Sequence, residues 1–104
     1  KKVLALAVDG LPAEQLRQLA VKAREELGYS SVVVLGSAAE GRVTIMVACG
    51  QAAIEAGIKA GDLARVASAV LGGGGGGKPD LAQGGGTEFS KLDEAISAAV
   101  GLIK

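Results

Sequence analysis

The segment 72–86 restricts the possible folds of this chain more than any other part, because nine of its fifteen residues are glycine. It reads GGGGGGKPDLAQGGG, so two glycine runs flank a short stretch that carries a lysine, a proline and an aspartate. Ordering a glycine costs roughly 0.5–1 kcal/mol more than ordering an alanine, because the unfolded glycine has more conformational freedom. A folded chain with this segment must therefore gain from a close approach of its backbone, either to a ligand or to its own sheet.

Three interpretations of this segment compete. A flexible linker is usually a glycine–serine mixture that joins two domains, whereas 104 residues suffice for one domain. A phosphate-binding P-loop matches Gly72–Lys78 as G-x-x-x-x-G-K, but Pro79 stands where the magnesium-binding Ser or Thr belongs. The sequence favours the third interpretation, an ordered glycine-rich loop at 72–86 whose backbone N–H groups approach a ligand.

The remaining sequence predicts the α/β class. Apolar runs over 3–8 (ended by Asp9–Gly10), 31–35 and 43–49 are typical of buried strands. Between the first two runs lies a helical stripe of Leu16, Leu19, Ala20, Ala23 and Leu27. A short glycine-containing turn joins the last two runs, which indicates a hairpin. We expect a β-α-β-β start with parallel first strands, and a small mixed sheet of three to four strands packed with helices in a single domain.

Composition excludes several classes of function. Eleven basic and eleven acidic residues give zero net charge, unlike a strongly basic nucleic-acid module. The absence of histidine removes histidine-dependent triads and most zinc sites. The only cysteine, Cys49, lies in an apolar run, where a small buried core residue is expected. We expect no catalytic residue, no metal and no cofactor.

The same features predict a setting for the chain. A lone cysteine and no recognisable signal peptide suit a reducing cytoplasm. No apolar run approaches the ~20 residues that span a bilayer, so no membrane partner is expected. The chain opens without methionine and directly in an apolar run, so we expect it to be a segment cut from a longer polypeptide.

The segment GGGGGGKPDLAQGGG resembles the motif that closes bacterial-type alanyl-tRNA synthetases. It lies there in the C-terminal (C-Ala) domain, which belongs to the wider DHH-associated domain family. The neighbouring sequence fits the same family, with Gly57–Leu63 ahead of a helix that ends in Leu71–Gly73, and Lys91–Ala95 in a last helix. The resemblance covers the whole chain, 1–104.

This resemblance implies a function that composition does not. In that family the C-terminal domain has no chemistry of its own and contacts the outer corner of the L-shaped tRNA, where the D- and T-loops meet. That contact helps one tRNA serve both the aminoacylation and the editing centres. The implied partners are tRNA and the rest of a parent alanine–tRNA ligase, with DNA bound in some lineages. The family's dimerising helical subdomain lies upstream of this globular part, so the fragment is expected to be a monomer.

The candidate tRNA contacts are residues of the glycine segment and two exposed basic residues. They are Gly73, Gly74, Gly75, Gly76, Gly77, Lys78, Gln83, Gly84, Gly85, Arg42 and Lys59. Each has a structural alternative: the glycines could pack against the sheet, Lys78 could pair with Asp80, and the other two cations could be solvated. Two further functions stay open, a nucleotide- or phosphate-binding accessory domain of a DHH-type phosphoesterase and a DNA-binding or assembly module. The phosphoesterase family usually shows His before the proline, where Lys78 stands here.

Overall fold

Five strands in one mixed sheet, with helices on both faces, make up the structure, a computed structural model that describes residues 2–8 and 10–103. In chain order the elements are β1 (Lys2–Ala7), α1 (Ala13–Leu27), β2 (Ser31–Ala39), β3 (Arg42–Cys49), α2 (Gln51–Glu55), α3 (Ala60–Val70), β4 (Gly75–Gly77), β5 (Leu81–Gly86), a 3-10 turn (Phe89–Lys91) and α4 (Leu92–Val100). Asp9, expected to end the first strand, lies outside the described residues.

The strand order is β1-β2-β3-β5-β4. β1 and β2 pair in parallel across α1, and every other pair is antiparallel. The α/β class, the mixed sheet and the β-α-β-β start are therefore confirmed. The sheet has five strands and not three to four, because the glycine segment supplies both β4 and β5.

The β2–β3 hairpin shows how local sequence determines pairing. Ala39 pairs with Arg42, which leaves a two-residue loop of Glu40 and Gly41. Both loop residues have positive φ, 56° and 79°. Two positive φ angles are typical of a type I′ turn, whose twist matches that of the flanking strands. The predicted hairpin is confirmed, and Arg42 begins β3 at its turn end.

The two faces of the sheet carry separate cores. On one face, here called the α1 face, the core consists of Leu16, Ala20, Val33, Leu35, Met46 and Ala48. The other face, here called the α3 face, carries the larger core beneath α3 and α4. Leu19 belongs to the predicted helical stripe but is 40% exposed, because it lies at the margin of that stripe.

The helices cover the two faces unequally. α3 packs on β3, β4 and β5, and α4 packs on β1 and β2, so the α3 face is covered across the sheet. On the opposite face α1 packs on β2 and β3. The β4–β5 end of the α1 face is therefore left largely uncovered, and the candidate site lies there.

Candidate nucleic-acid interface

The glycine segment forms a β-hairpin at the edge of the sheet, in place of the predicted loop. Gly75 pairs with Gly84, and Gly76 pairs with Gln83. The Lys78 N–H donates to the Leu81 carbonyl at 3.1 Å and closes the turn. β5 then pairs with β3, which places the glycines in the pleat of a regular sheet. Successive residues consequently point to opposite faces, so neighbouring glycines have different surroundings.

Gly75 and Gly84 lie beneath α3. A Cβ at either position would collide with the Oγ of Ser68 on that helix. The side of α3 that meets the hairpin is made of small residues, which are Ala60, Gly61, Ala64, Ala67 and Ser68. Helix and sheet thus approach closely because both surfaces lack bulk. Packing against α3 therefore explains why both positions are glycine, whether or not their backbone also contacts a ligand.

Gly73 and Gly85 are required by backbone contacts. A Cβ at Gly73 would overlap the Gly85 carbonyl, and a Cβ at Gly85 would overlap the Val43 carbonyl. The Gly73 N–H also donates to the Ser68 carbonyl at 2.9 Å, after the end of α3. Gly77 has a φ of 153°, in the region that favours glycine. The backbone of the hairpin therefore requires glycine at these three positions, independently of any ligand.

Gly74 and Gly76 differ from the other glycines of the hairpin. A Cβ at either position would meet nothing within 4 Å, and neither has a positive φ. Neither packing nor backbone geometry among the described residues requires glycine here. Their open side lies on the α1 face, together with Gln83 of β5 and Thr44 of β3. We call this surface the glycine face (Thr44, Gly74, Gly76, Gln83 and Gly85).

Two depressions on the glycine face carry basic residues. One holds about 500 Å³ and is lined by Arg42 together with Thr44, Gly74, Gln83 and Gly85. The other holds about 470 Å³ and is lined by Arg17, Lys78 and Asp80 together with Gly76 and Gln83. Arg42 and Lys78 are both exposed. They lie beyond opposite ends of β5, whose six residues span roughly 17 Å at the ~3.4 Å rise of an antiparallel strand.

Lys78 makes no ion pair with any carboxylate of the described residues. The alternative pairing with Asp80 is therefore not found, and Asp80 instead contributes its carbonyl to the fold. That carbonyl accepts the Cys49 N–H at 3.0 Å and an Arg24 guanidinium N–H at 2.7 Å. The Lys78 ammonium is left available for an outside partner.

Two further basic residues, Arg17 and Lys59, lie near the hairpin, and only Lys59 was a candidate from the sequence. Arg17 of α1 reaches the glycine face and lies 3.6 Å from the Glu14 carboxylate. Arg17 and Arg24 are seven residues apart and therefore lie on the same side of α1. This spacing was the signal in the sequence that could have pointed to Arg17. Lys59 precedes α3, where the Ala60 N–H donates to the Pro79 carbonyl at 2.9 Å. Lys59 therefore lies beside the hairpin turn, at the start of α3.

Cys49 is 1% exposed, which confirms the predicted core role. Burial raises the pKa of its thiol from the ordinary 9.0 to about 11, while nearby Arg24 lowers the pKa and Asp80 raises it. The folded thiol is thus neutral at physiological pH. Among the described residues no group of three or more His, Cys, Asp or Glu side chains is placed to hold a metal ion. Over the same residues, no helix is long and apolar enough to cross a bilayer.

Alkylation of Cys49 tests its burial. At pH 8 we expect iodoacetamide to react with the native thiol at least about a hundredfold more slowly than with the denatured chain, because the thiol pKa is about 11 in the native chain and 9.0 in the denatured one.

The raised pKa of Cys49 also makes the stability of the domain depend on pH. The neutral thiol contributes stability that is complete below pH 9.0 and is lost as the pH rises through about 11. Urea midpoints across this range give the measurement, with Cys49→Ala as the control that removes the dependence. Equal alkylation rates would contradict the burial.

The comparisons with known proteins agree with this geometry. The model of the DHHA1 domain matches residues 1–104, so the chain belongs to the DHHA1 domain family. Within that family it is similar to the C-Ala domain of alanyl-tRNA synthetase. The C-Ala domain of the Aquifex aeolicus enzyme shares the fold with a TM-score of 0.86 and 29% identity, over 97% of this chain and 89% of that one.

Longer relatives are alanine–tRNA ligases. The one from Acidothermus cellulolyticus is 50% identical over 96 residues, 92% of this chain, and the one from Synechococcus elongatus is 44% identical over 104 residues, 99% of this chain. The chain spans only 11% and 12% of their lengths. The resemblance found in the sequence is confirmed, and the chain corresponds to the C-Ala domain of such an enzyme.

Proposed function

We propose that this domain binds tRNA as the C-terminal domain of an alanine–tRNA ligase. The observation that carries the proposal is the open glycine face, where an added Cβ at Gly74 or Gly76 would meet no described atom within 4 Å. A surface without side chains allows a phosphate, a sugar or the plane of a base to touch the backbone itself. As an edge strand, β4 also leaves half of its backbone N–H and C=O groups unpaired within the sheet.

The second part of the proposal concerns the two cations that flank the glycine face. Lys78 at one end and Arg42 at the other contact phosphates, while the Gln83 amide supplies both donors and an acceptor between them. Only a few phosphates can be met in this way, because the net charge is zero. The domain therefore recognises the shape of folded tRNA at its outer corner and binds weakly without the rest of the synthetase. In the cytoplasm, the domain helps one tRNA reach both the aminoacylation and the editing centres of the parent enzyme.

No observation favours the other functions. The phosphoesterase alternative is not favoured, because the relatives described above are alanine–tRNA ligases. DNA binding and a pure assembly role are outcomes of the experiment that follows. We propose the isolated domain to be a monomer, which sedimentation at several concentrations measures directly.

Titration of folded tRNA with the domain, at two salt concentrations, tests the function. We expect tRNA to bind more tightly than an RNA duplex or a DNA duplex of similar length, and binding to weaken with salt. Lys78→Ala should lower the affinity and reduce the salt slope by about one unit, because one phosphate contact is lost. Lys2→Ala, on β1 at the opposite edge of the sheet from the hairpin, is the charge-matched control. Equal binding to all three polymers, or none at low salt, would overturn the proposal.

A further inference from the structure

Tyr29 is an exposed aromatic side chain on a rigid support. It lies in the turn between α1 and β2, and 81% of it is exposed. Its ring belongs to neither core. The backbone beneath it is nevertheless held firmly, because its carbonyl accepts the Ala52 N–H at 2.9 Å and Gly50 packs directly against that carbonyl. The fold thus presents the ring without using it.

A depression of about 560 Å³ adjoins the Tyr29 ring. Its lining combines the Arg24 guanidinium, the Gln51 amide and the aliphatic side chain of Ile54. Arg24 is oriented by its 2.7 Å hydrogen bond to the Asp80 carbonyl. A planar cation, an aromatic ring and an amide are the groups that bind an unstacked base, by stacking and by hydrogen bonds to its edge.

This depression meets one of the depressions of the glycine face at the hairpin turn. Asp80 lines both the depression beside Tyr29 and the one that holds Arg17 and Lys78. An RNA strand whose phosphates contact Lys78 therefore passes close to the Tyr29 depression. The Glu25 carboxylate in the lining disfavours a phosphate there, so the depression suits the base of a nucleotide better than its phosphate.

We propose that Tyr29 stacks an unpaired nucleobase of the RNA that lies on the glycine face, with Arg24 and Gln51 beside the base. The inference rests on the proposed tRNA binding and adds a second contact to it. Because the turn is already ordered in the free protein, little conformational entropy is lost when the base binds. The ring is tolerant of base identity, since every base has a π-face.

The chain carries its own reporter for this contact, because Tyr29 is its only tyrosine and it has no tryptophan. We expect folded tRNA to quench the Tyr29 fluorescence with the same midpoint as binding measured by filter retention. N-acetyl-tyrosinamide at equal RNA concentrations corrects for absorption by the RNA. Tyr29→Ala should weaken tRNA binding by about 5- to 150-fold, the range found for loss of one base–aromatic stack. Tyr29→Phe keeps the ring and should keep the affinity within about twofold.

The outcomes separate this site from the proposed function. If tRNA binds while the fluorescence and the Tyr29→Ala affinity are unchanged, the stacking proposal is overturned and the glycine-face function stands. If tRNA does not bind the wild-type domain, both are overturned. Thermal unfolding of Tyr29→Ala should match that of the wild type, since the side chain is mostly exposed, and this excludes misfolding as the cause of a loss.

Discussion

Gly84→Ala is expected to destabilise the domain by about 3 kcal/mol, at the upper end of the cost of overpacking a core. The new methyl group would overlap the Ser68 Oγ and lie 2.9 Å from the Gly75 Cα. Neither neighbour can move freely, because Ser68 is buried in the last turn of α3 and Gly75 is paired in β4. The urea midpoint, followed by far-UV circular dichroism, measures the loss.

Gly76→Ala is the matched control, since it adds the same methyl group to the same hairpin on the open face. Nothing lies within 4 Å of that position, so the stability should stay within about 0.5 kcal/mol of the wild type or rise slightly. Combining Gly84→Ala with Ser68→Ala should recover at least about 1 kcal/mol, because the overlapping Oγ is removed. That hydroxyl has no hydrogen-bond partner among the described residues, so its removal has little cost of its own. Equal effects of Gly84→Ala and Gly76→Ala would contradict the assignment of faces.

Gly76→Val is expected to weaken tRNA binding at least about tenfold, or about 1.4 kcal/mol, while the domain stays folded. A branched side chain suits an exposed edge strand, but here it would hold the RNA away from the backbone. Filter retention with folded tRNA gives the affinity, and the urea midpoint confirms the fold.

Gly74→Val tests the same surface independently, because its Cβ position is also open. Ser97→Val, at an exposed position of α4 far from the hairpin, is the control for an added apolar side chain. If both glycine variants bind tRNA as the wild type does, the glycine face is not the contact surface.

Much of the fold was predictable because its signals are local. Alternation of apolar runs with the Leu16 and Leu27 stripe indicated β1, α1 and β2, and the Glu40–Gly41 turn indicated the β2–β3 pairing. The strands β4 and β5 were not predictable in the same way. Glycine has a low preference for strands, so nothing within 75–77 favours an extended pairing. The hairpin depends on the pairing of β5 with β3, more than thirty residues earlier in the sequence, and on the small residues of α3.

The candidate site was predicted in part. Lys78, Gln83 and the open glycines were recognised from the unusual segment, and the structure places them in two adjoining depressions that share Gln83. Arg17 and Tyr29 were missed, because a single exposed arginine or tyrosine has no distinctive pattern in a sequence. They become candidates only once α1 and its following turn are seen beside the hairpin.

The sequence by itself determined the α/β class, the position of the first four elements and the family, because periodicity, turn residues and the motif at 72–86 are properties of neighbouring residues. Only the tertiary structure decided which glycines are needed for packing and which are open to a ligand. The reason is the pleat of the β4–β5 hairpin: it turns Gly75 and Gly84 towards Ser68 of α3, and leaves Gly74 and Gly76 on the side that no helix covers.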